Sequence, residues 1–224
     1  MSSAADVVVV GAGIVGAACA RECASRGLRT TVVDATGVGG GTTAAGMGHI
    51  VVMDDSPMQL ALTRYSQRLW RELAPALPSD VEFESCGTLW VAADDEEMDE
   101  VRRKRALYAS LAVESEVLDN QALAEAEPHL RRPLAGALFV PSDAVLYPPC
   151  AAGYLMREAV RMGAQLLAPH RVVAAGEGRA LGGRNRRAVC RGHQRRFRRR
   201  GRKIVSSRHC GERYATEFRI PPLV

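Results

Sequence analysis

Residues 7–16 read Val-Val-Val-Val-Gly-Ala-Gly-Ile-Val-Gly, and this stretch decides the fold. Four consecutive valines predict a β-strand that is buried on both faces, as in a parallel sheet. The three glycines predict a sharp turn that opens directly into a helix of small residues. A second apolar strand, residues 30–33, ends at Asp34. Strand, glycine turn, helix and second strand together predict an α/β fold with a Rossmann-like layer.

The glycine turn predicts a binding site for a dinucleotide. Backbone N–H groups at the N-terminus of a helix, together with the helix dipole, bind a pyrophosphate without a lysine. A carboxylate at the end of the second strand accepts hydrogen bonds from both hydroxyls of the adenosine ribose and repels a 2′-phosphate. Asp34 therefore favours FAD or NAD and disfavours NADP.

The loop that follows Asp34 separates FAD from NAD. Residues 37–49 are rich in glycine and contain no Asp, Glu, Lys or Arg, so their backbone can pass close to a planar ring. This segment resembles the D-amino-acid oxidase-like family of FAD-dependent oxidoreductases, which includes glycine oxidase, sarcosine oxidase and D-amino-acid dehydrogenases. Residues 40–47 look most like glycine oxidase. Residues 46–51, 53–56 and 65–70 are most similar to dehydrogenases that act on D-hydroxyproline and related D-amino acids.

The resemblance implies FAD as cofactor, a small amine or amino acid as substrate, and hydride transfer from the substrate Cα to flavin N5. It places Met47, Gly48 and His49 nearest the flavin ring, where His49 is either a catalytic residue or part of the wall. It also implies a backbone contact from Val172 to the adenine, with an ordinary strand valine as the alternative. No metal is implied. The implied cofactor-binding residues are Gly11, Gly13, Ile14, Val15, Gly16, Asp34, Ala35, Thr42, Thr43, Ala45, Gly46, Met47 and Val172.

The chain divides into four predicted segments. Residues 1–80 form an FAD-binding segment, 81–147 part of a strand-rich substrate domain, 148–182 a return to the FAD-binding domain, and 183–224 an arginine-rich tail. Ser56 and Pro57 predict the start of a helix. Its apolar residues recur at helical spacing, which predicts a core stripe. This stripe consists of Met58, Leu62, Tyr65, Leu69 and Leu73.

Three further patterns predict local structure. Residues 81–92 alternate around Gly87, which predicts two short strands. Residues 94–111 begin with acidic and continue with basic side chains, which predicts a solvated helix with i,i+4 ion pairs. Six scattered cysteines predict small buried thiols in a reducing cytosol rather than a metal or redox site.

The charge is distributed unevenly along the chain. Residues 1–182 hold 16 Lys and Arg against 23 Asp and Glu, whereas residues 183–224 hold 14 against 2. The tail has too few apolar residues for a packed core, which predicts disorder. Three explanations remain open for it: a frameshift in a GC-rich gene, a segment that binds nucleic acid or another anionic surface, and disordered ballast.

The sequence also sets expectations for the whole protein. Relatives in the family are longer and bind the substrate carboxylate with residues that are not recognisable here, so the chain is predicted to be an incomplete, inactive form. No apolar run reaches the roughly 20 residues of a membrane helix, and no signal peptide is indicated, which predicts a cytoplasmic protein. Other classes remain open: a non-catalytic dinucleotide-binding remnant, an NAD-dependent dehydrogenase, and a nucleic-acid binder that acts through its basic tail. Nothing in the sequence indicates other subunits.

Overall fold

The computed structural model describes residues 5–54, 56–180, 183–192 and 215–220, with side chains described as far as residue 173. The chain forms two compact units. The first consists of Met1–Gly46 and Pro148–Val224, and the second is Met47–Tyr147. The sequence analysis placed the first boundary later, at residue 81. The difference arises because the helix that begins at Pro57 packs on the second unit, through Leu60.

The described helices are α1 (Ile14–Ser25), α2 (Thr42–Ala45), α3 (Pro57–Leu73), α4 (Asp95–Ser110), α5 (Asn120–Ala126) and α6 (Pro148–Arg161). The described strands are β1 (Val7–Val10), β2 (Thr30–Val33), β3 (His49–Ile50), β4 (Thr88–Ala92), β5 (Glu116–Asp119), β6 (Gly136–Val140), β7 (Ala144–Val145), β8 (Gln165–Leu167), β9 (His170–Ala180), β10 (Gly183–Gly192) and β11 (Ala215–Ile220).

A parallel sheet with strand order β1-β2-β8 forms the centre of the first unit. Val7 pairs with Thr30, and Val33 pairs with Leu167. The predicted parallel pairing of the two N-terminal strands is therefore confirmed. Burial on both faces was predicted for the wrong strand. Within the described residues β1 lies at the edge of this sheet, where Val10 is 65% exposed, whereas the central strand β2 is buried along its length.

Small side chains let α1 and α6 pack closely together in the first unit. The buried residues of α1 are alanines, Ala17, Ala20 and Ala24. On α6, Ala151 and Ala152 are buried as well. Asp6 and Arg29 connect the starts of β1 and β2 through paired hydrogen bonds, and Arg29 lowers the pKa of Asp6 to about 2. The glycine turn thus joins strand β1, which is tied to β2 at its start, to helix α1, which packs on α6.

The arginine-rich segment contains described strands. β9, β10 and β11 form an antiparallel sheet in which β10 is central. For Gly183–Gly192 and Ala215–Ile220 the backbone is thus extended and paired, in place of the predicted disorder. The remainder of the predicted tail, residues 193–214 and 221–224, lies outside the described residues.

The second unit is built on an antiparallel sheet with strand order β4-β6-β5. Residues of α4 pack on it, including Met98, Val101 and Tyr108, and β6 contributes Leu138 and Val140 to the same core. Strands β3 and β7 form a separate short antiparallel pair. A turn at residues 141–143 separates β6 from β7.

Helix α3 begins as the sequence predicted, but its apolar stripe is not in the core. Ser56 caps the helix by accepting a hydrogen bond from the Gln59 N–H, and Pro57 is the first helical residue. The buried positions are Leu60 and Gln67 instead. Met58 is 84% exposed and Leu62 67% exposed, and Tyr65 and Leu69 are also exposed. Periodicity identified residues that share a face, but a different face of the helix meets the sheet.

Other local predictions also need correction. Of residues 81–92, only Thr88–Ala92 form a strand, since Val81 ends a short 3-10 helix and Glu84 pairs with Val145 only as an isolated bridge. The ion pairs within α4 join residues three apart, Asp99 with Arg102 and Glu100 with Arg103, rather than four. Four of the six cysteines lie where the structure describes side chains, and these thiols are not buried as predicted: Cys19 and Cys86 are exposed, and Cys23 and Cys150 are half-buried.

Two structural features are absent from the described residues. None of their helices is long and apolar enough to cross a membrane. They also contain no group of three or more His, Cys, Asp or Glu side chains arranged to hold a metal ion.

Candidate cofactor site

Three glycines shape the turn between β1 and α1, each for a different physical reason. Gly11 has a φ of +102°, which L-residues with a side chain rarely adopt, and a Cβ there would meet no atom within 4 Å. A Cβ on Gly13 would lie 2.8 Å from the Thr43 hydroxyl oxygen. A Cβ on Gly16 would lie 2.0 Å from the carbonyl oxygen of Gly11. The turn therefore presents bare backbone to an open space and packs the helix tightly on the strand.

The N-terminus of α1 carries donors that the helix itself does not use. Gly13 is the N-cap and provides no side-chain cap, and the first bond of the helical ladder runs from the Ala17 N–H to the Gly13 carbonyl at 2.9 Å. The N–H groups of Ile14, Val15 and Gly16 consequently have no acceptor within the helix. Such a helix end, with the positive end of the helix dipole, suits a phosphate.

Thr43 on α2 reaches this helix end. Its hydroxyl oxygen accepts a hydrogen bond from the Ile14 N–H at 3.0 Å. A hydroxyl that accepts still has its own proton to donate. Thr43 thus converts one N–H donor of the turn into an O–H donor at the same helix end.

Asp34 connects the end of β2 to the glycine turn and to the loop that follows. Its Oδ2 accepts from the Ala12 N–H at 2.7 Å, and its Oδ1 accepts from the N–H groups of Thr36 and Gly37, each at 2.8 Å. The Thr36 hydroxyl also donates to Oδ1, at 3.2 Å. Partial burial by itself would raise the pKa of Asp34, but these hydrogen bonds outweigh it and lower that pKa. The carboxyl group is therefore held charged.

The loop after Asp34 folds back against the turn. The Gly39 N–H donates to the Ala12 carbonyl at 2.9 Å, and Gly39 lies against Pro149 at the start of α6. Ala35, Thr42, Ala45 and Gly46 are exposed on this loop. The structure thus brings the predicted residues of the turn, Asp34 and Thr43 together through direct hydrogen bonds.

Val172 lies beside the same strand ends. The Asp34 N–H donates to the Leu167 carbonyl at 3.0 Å, and the His170 N–H donates to the Asp34 carbonyl at 2.7 Å. The Val172 side chain is half-buried and packs with Val33, as do Val8 and Leu167. The side chain therefore has the packing role of a strand valine, and its backbone contact to adenine stays a prediction.

Met47 and His49 belong to the second unit, and both are exposed. His49 pairs with Val145 across β3 and β7, and the Leu146 N–H donates to the Gly48 carbonyl at 3.0 Å. The segment that the resemblance places at the flavin is therefore fixed to residues 144–146, which follow the turn at residues 141–143.

Sequence reasoning missed a buried polar pair that supports this segment. Asp143 is fully buried, and its Oδ1 accepts from the Val52 N–H at 3.0 Å and from the Gln67 amide at 2.6 Å. The Gln67 amide also donates to the Ile50 carbonyl at 3.3 Å. Burial raises the pKa of Asp143 more than these donors, the Thr88 side chain and the nearby His49 lower it. No local pattern of α3 marked Gln67, because three of its neighbours on the helix, Thr63, Arg64 and Arg71, are polar as well.

Residues 6–208 match the family described as FAD dependent oxidoreductase. The chain belongs to this family. The match covers most of the chain and continues into the arginine-rich segment. Proteins of this family use FAD, which agrees with the glycine turn and with the donors at the start of α1.

The chain matches only part of the length of individual relatives. Glycine oxidase from Geobacillus kaustophilus (strain HTA426) is 27% identical over 169 residues, which are 72% of this chain and 45% of that protein. The 4-methylaminobutanoate oxidase (formaldehyde-forming) of Paenarthrobacter nicotinovorans is 28% identical over 175 residues, 76% of this chain and 21% of that protein. The chain thus spans less than half the length of these curated relatives.

The fold is also similar to that of a solved glycine oxidase. The crystal structure of glycine oxidase from Geobacillus kaustophilus superposes with a TM-score of 0.75 at 25% identity, over 83% of this chain and 51% of that one. The FAD-binding fold predicted from the sequence is therefore confirmed.

Proposed function

We propose that the chain binds FAD for the oxidation of a small amine or amino acid at a carbon–nitrogen bond. The observation that carries this proposal is the turn at Gly11–Gly16, where bare backbone, unused helical N–H groups and the Thr43 hydroxyl face one helix end. The substrate class follows from the printed names of two relatives, a glycine oxidase and a 4-methylaminobutanoate oxidase. When bound, FAD supplies the two-electron acceptor for this oxidation.

The first task of the chain is to bind the pyrophosphate. We assign the N–H groups of Val15 and Gly16 to its oxygens, since neither has an acceptor within the helix. Thr43 adds an O–H donor, oriented by the bond that its oxygen accepts from Ile14. Gly13 and Gly16 keep this surface free of side chains, and Gly11 leaves the space in front of the turn open.

The second task is to select the nucleotide half. Each carboxylate oxygen has about two acceptor positions, and among the described residues only the Ala12 N–H donates to Asp34 Oδ2, which leaves one position on that oxygen. We infer that this position accepts from one ribose hydroxyl. The charge of Asp34 would repel a 2′-phosphate, so NADP should bind poorly. Ala35 and Val172 remain candidates for contacts to the adenosine.

The third task is to place the substrate against the ring. We assign Met47 and His49 to the wall of this space, through their resemblance to the family. The Asp143–Gln67 pair would hold their strand in place, since it binds the backbone at Ile50 and Val52. Neither a catalytic role for His49 nor a cytoplasmic location has been tested, and both stay predictions.

A binding experiment tests the cofactor assignment. The purified chain should take up FAD and show bound-flavin absorbance, with NAD and NADP binding more weakly by calorimetry. Thr43→Val, which removes the hydroxyl at nearly constant volume, should weaken FAD about tenfold, as expected for one hydrogen bond to a charged group. Ser25→Ala is the control, because it removes an exposed hydroxyl at the opposite end of α1. Equal FAD affinity in both variants would remove Thr43 from the site.

A separate assay tests the reaction. Glycine, sarcosine, D-alanine, D-proline and D-hydroxyproline are offered with an artificial electron acceptor, both to this chain and to a longer form that covers the full length of its relatives. Turnover by the longer form supports the substrate class. The prediction that this chain alone is inactive fails if the two forms turn over at the same rate.

A further inference from the structure

Helix α3 places three arginines along one side of a cavity in the second unit. Arg64, Arg68 and Arg71 are spaced i, i+4 and i+7, which puts them on one face of the helix. All three line a cavity of about 560 Å³. This volume lies in the range that small-molecule ligands occupy, about 300–1,000 Å³.

The guanidinium groups on this face are not neutralised. Within the described residues, Arg64 and Arg71 form no ion pair. Arg68 approaches Glu72 only at 4.0 Å, and it lies over the ring of Tyr65 at 5.0 Å. Much of the positive charge on α3 therefore has no counter-charge in the described chain.

Arginines on the neighbouring helix behave differently. On α4, Arg102 pairs with Asp99 at 2.6 Å and Arg103 pairs with Glu100 at 2.6 Å. These two exposed arginines thus have a carboxylate partner one helical turn away, whereas Arg131 and Arg132 of the same unit form no ion pair within the described residues. Arg64 and Arg71 also lack such a partner, and they differ from Arg131 and Arg132 in lining a cavity.

The remaining walls favour an organic anion over an inorganic ion. Ala61, Tyr65 and Ala112 contribute exposed apolar surface, and Ser142 adds a hydroxyl. Among the described lining residues, Glu114 is the single acidic side chain, against three arginines. The cavity therefore combines a net positive charge with an apolar wall.

We propose that this cavity binds a small organic anion that carries two or more carboxylate or phosphate groups. Guanidinium groups bind such oxygens in pairs, and they do so better than ammonium groups. Arg64 and Arg71 are separated by a rise of about 10 Å along the helix, which suits two anionic groups on one molecule. None of the residues that line this cavity is among the proposed FAD-binding residues, so the proposal does not depend on the FAD assignment.

Calorimetric titration with citrate at constant ionic strength tests the proposal, and inorganic phosphate serves as the probe with a single anionic group. Citrate should bind saturably, and Arg64→Gln and Arg71→Gln should each weaken it about tenfold. Arg102→Gln is the matched control, since it removes the same charge from a paired arginine on α4. The result should be the same with and without saturating FAD, whether or not FAD itself binds.

Three further variants separate a defined site from general electrostatics. Glu114→Gln should tighten citrate binding, whereas Glu116→Gln, the same charge change on β5, should not, because Glu116 does not line the cavity. Ala61→Trp should block binding by filling the cavity without any change of charge. No saturable citrate binding, equal losses for Arg102→Gln and Arg64→Gln, or phosphate that binds as tightly as citrate would each overturn the proposal.

Discussion

Asp34 in the first unit and Asp143 in the second are both aspartates beside a short strand, yet the protein shifts their pKa values in opposite directions. Asp34 is half-buried and accepts from three backbone N–H groups and one hydroxyl, and its pKa is lowered. Asp143 is fully buried and accepts from one backbone N–H and one side-chain amide, and its pKa is raised.

The difference shows what decides the charge of a carboxyl group in this fold. Burial disfavours the charged form, and hydrogen bonds from N–H donors favour it, so their balance matters more than either alone. At the glycine turn the hydrogen bonds have the larger effect on the pKa of Asp34, which keeps its carboxylate charged where a ribose is proposed to bind. Behind β3 burial has the larger effect on the pKa of Asp143, so Asp143 serves mainly to hold Val52 and Gln67 in place.

The largest effect is expected at Asp143. Asp143→Ala removes the acceptor for the Val52 N–H and the Gln67 amide, and both donors stay buried without their partner. An unsatisfied buried donor costs about 1–3 kcal/mol, so the free energy of unfolding should fall by roughly 2–4 kcal/mol. Urea unfolding followed by circular dichroism measures it.

The control for this prediction is Asp143→Asn. It keeps an oxygen that can accept from Val52 and Gln67, so it should retain most of the stability that Asp143→Ala loses. A loss below about 0.5 kcal/mol for Asp143→Ala would show that the pair is not needed to hold the second unit together.

The next effect concerns Asp34 and nucleotide binding. Asp34→Ala should weaken ADP binding by about 1–3 kcal/mol, because a charge-assisted hydrogen bond to the ribose and the tie to Ala12 are both lost. Calorimetry with ADP measures this, and Asp6→Asn is the matched control, since Asp6 carries an equal charge in the same unit but bonds to Arg29.

Deoxynucleotides separate the two contributions of Asp34. In the wild type, either 2′-deoxy-ADP or 3′-deoxy-ADP should bind more weakly than ADP, and in Asp34→Ala that difference should vanish. If the difference persists in the variant, Asp34 acts on the turn alone and has no ribose contact.

The opposite pKa shifts predict opposite responses to pH. The raised pKa of Asp143 means that the folded chain keeps a proton that the unfolded chain loses. The contribution of Asp143 to the free energy of unfolding therefore falls as the pH rises from the ordinary aspartate pKa of about 3.9 towards the raised pKa of the folded state. The lowered pKa of Asp34 means that its stabilisation is present above the ordinary value and is lost as the pH falls through its folded pKa.

Urea unfolding of wild type, Asp143→Asn and Asp34→Asn from about pH 3 to about pH 7 measures both responses. Relative to wild type, Asp143→Asn should become less destabilising as the pH rises, and Asp34→Asn should become more so. Parallel stability curves for all three proteins would contradict both assignments.

How much could be predicted from the sequence depends on whether a feature is determined by neighbouring residues or by residues far away in the chain. The glycine turn was predictable because its conformation depends on the residues in it: a positive φ at Gly11, and no room for a Cβ at Gly16. The start of α3 was predictable for the same reason, since Ser56 bonds to Gln59 only three residues away.

Features that depend on distant partners were not predictable. Gln67 and Asp143 are 76 residues apart, and no local pattern joins them. The apolar spacing of α3 showed that Met58 and Leu62 share a face. Which face of α3 is buried depends on how the helix packs on the rest of the second unit. Asp34 lies between these cases. Its position was predictable from the strand, whereas its bond to Ala12 required the turn to fold beside it.

The smallest effect is expected for an exposed leucine of α3, which we compare with a buried leucine of the same helix. Leu60 and Leu62 both lie on α3, but Leu60 is 6% exposed and Leu62 is 67% exposed. Leu62→Gln should change the free energy of unfolding by less than about 0.5 kcal/mol, as surface substitutions do. Leu60→Ala, the buried counterpart, should cost about 2–5 kcal/mol, because it removes transferred apolar surface and leaves a cavity. Urea unfolding measures both variants. Should Leu62→Gln prove as costly as Leu60→Ala, the stripe from Met58 to Leu69 would be covered in the folded protein, and the original prediction of a core stripe would be restored.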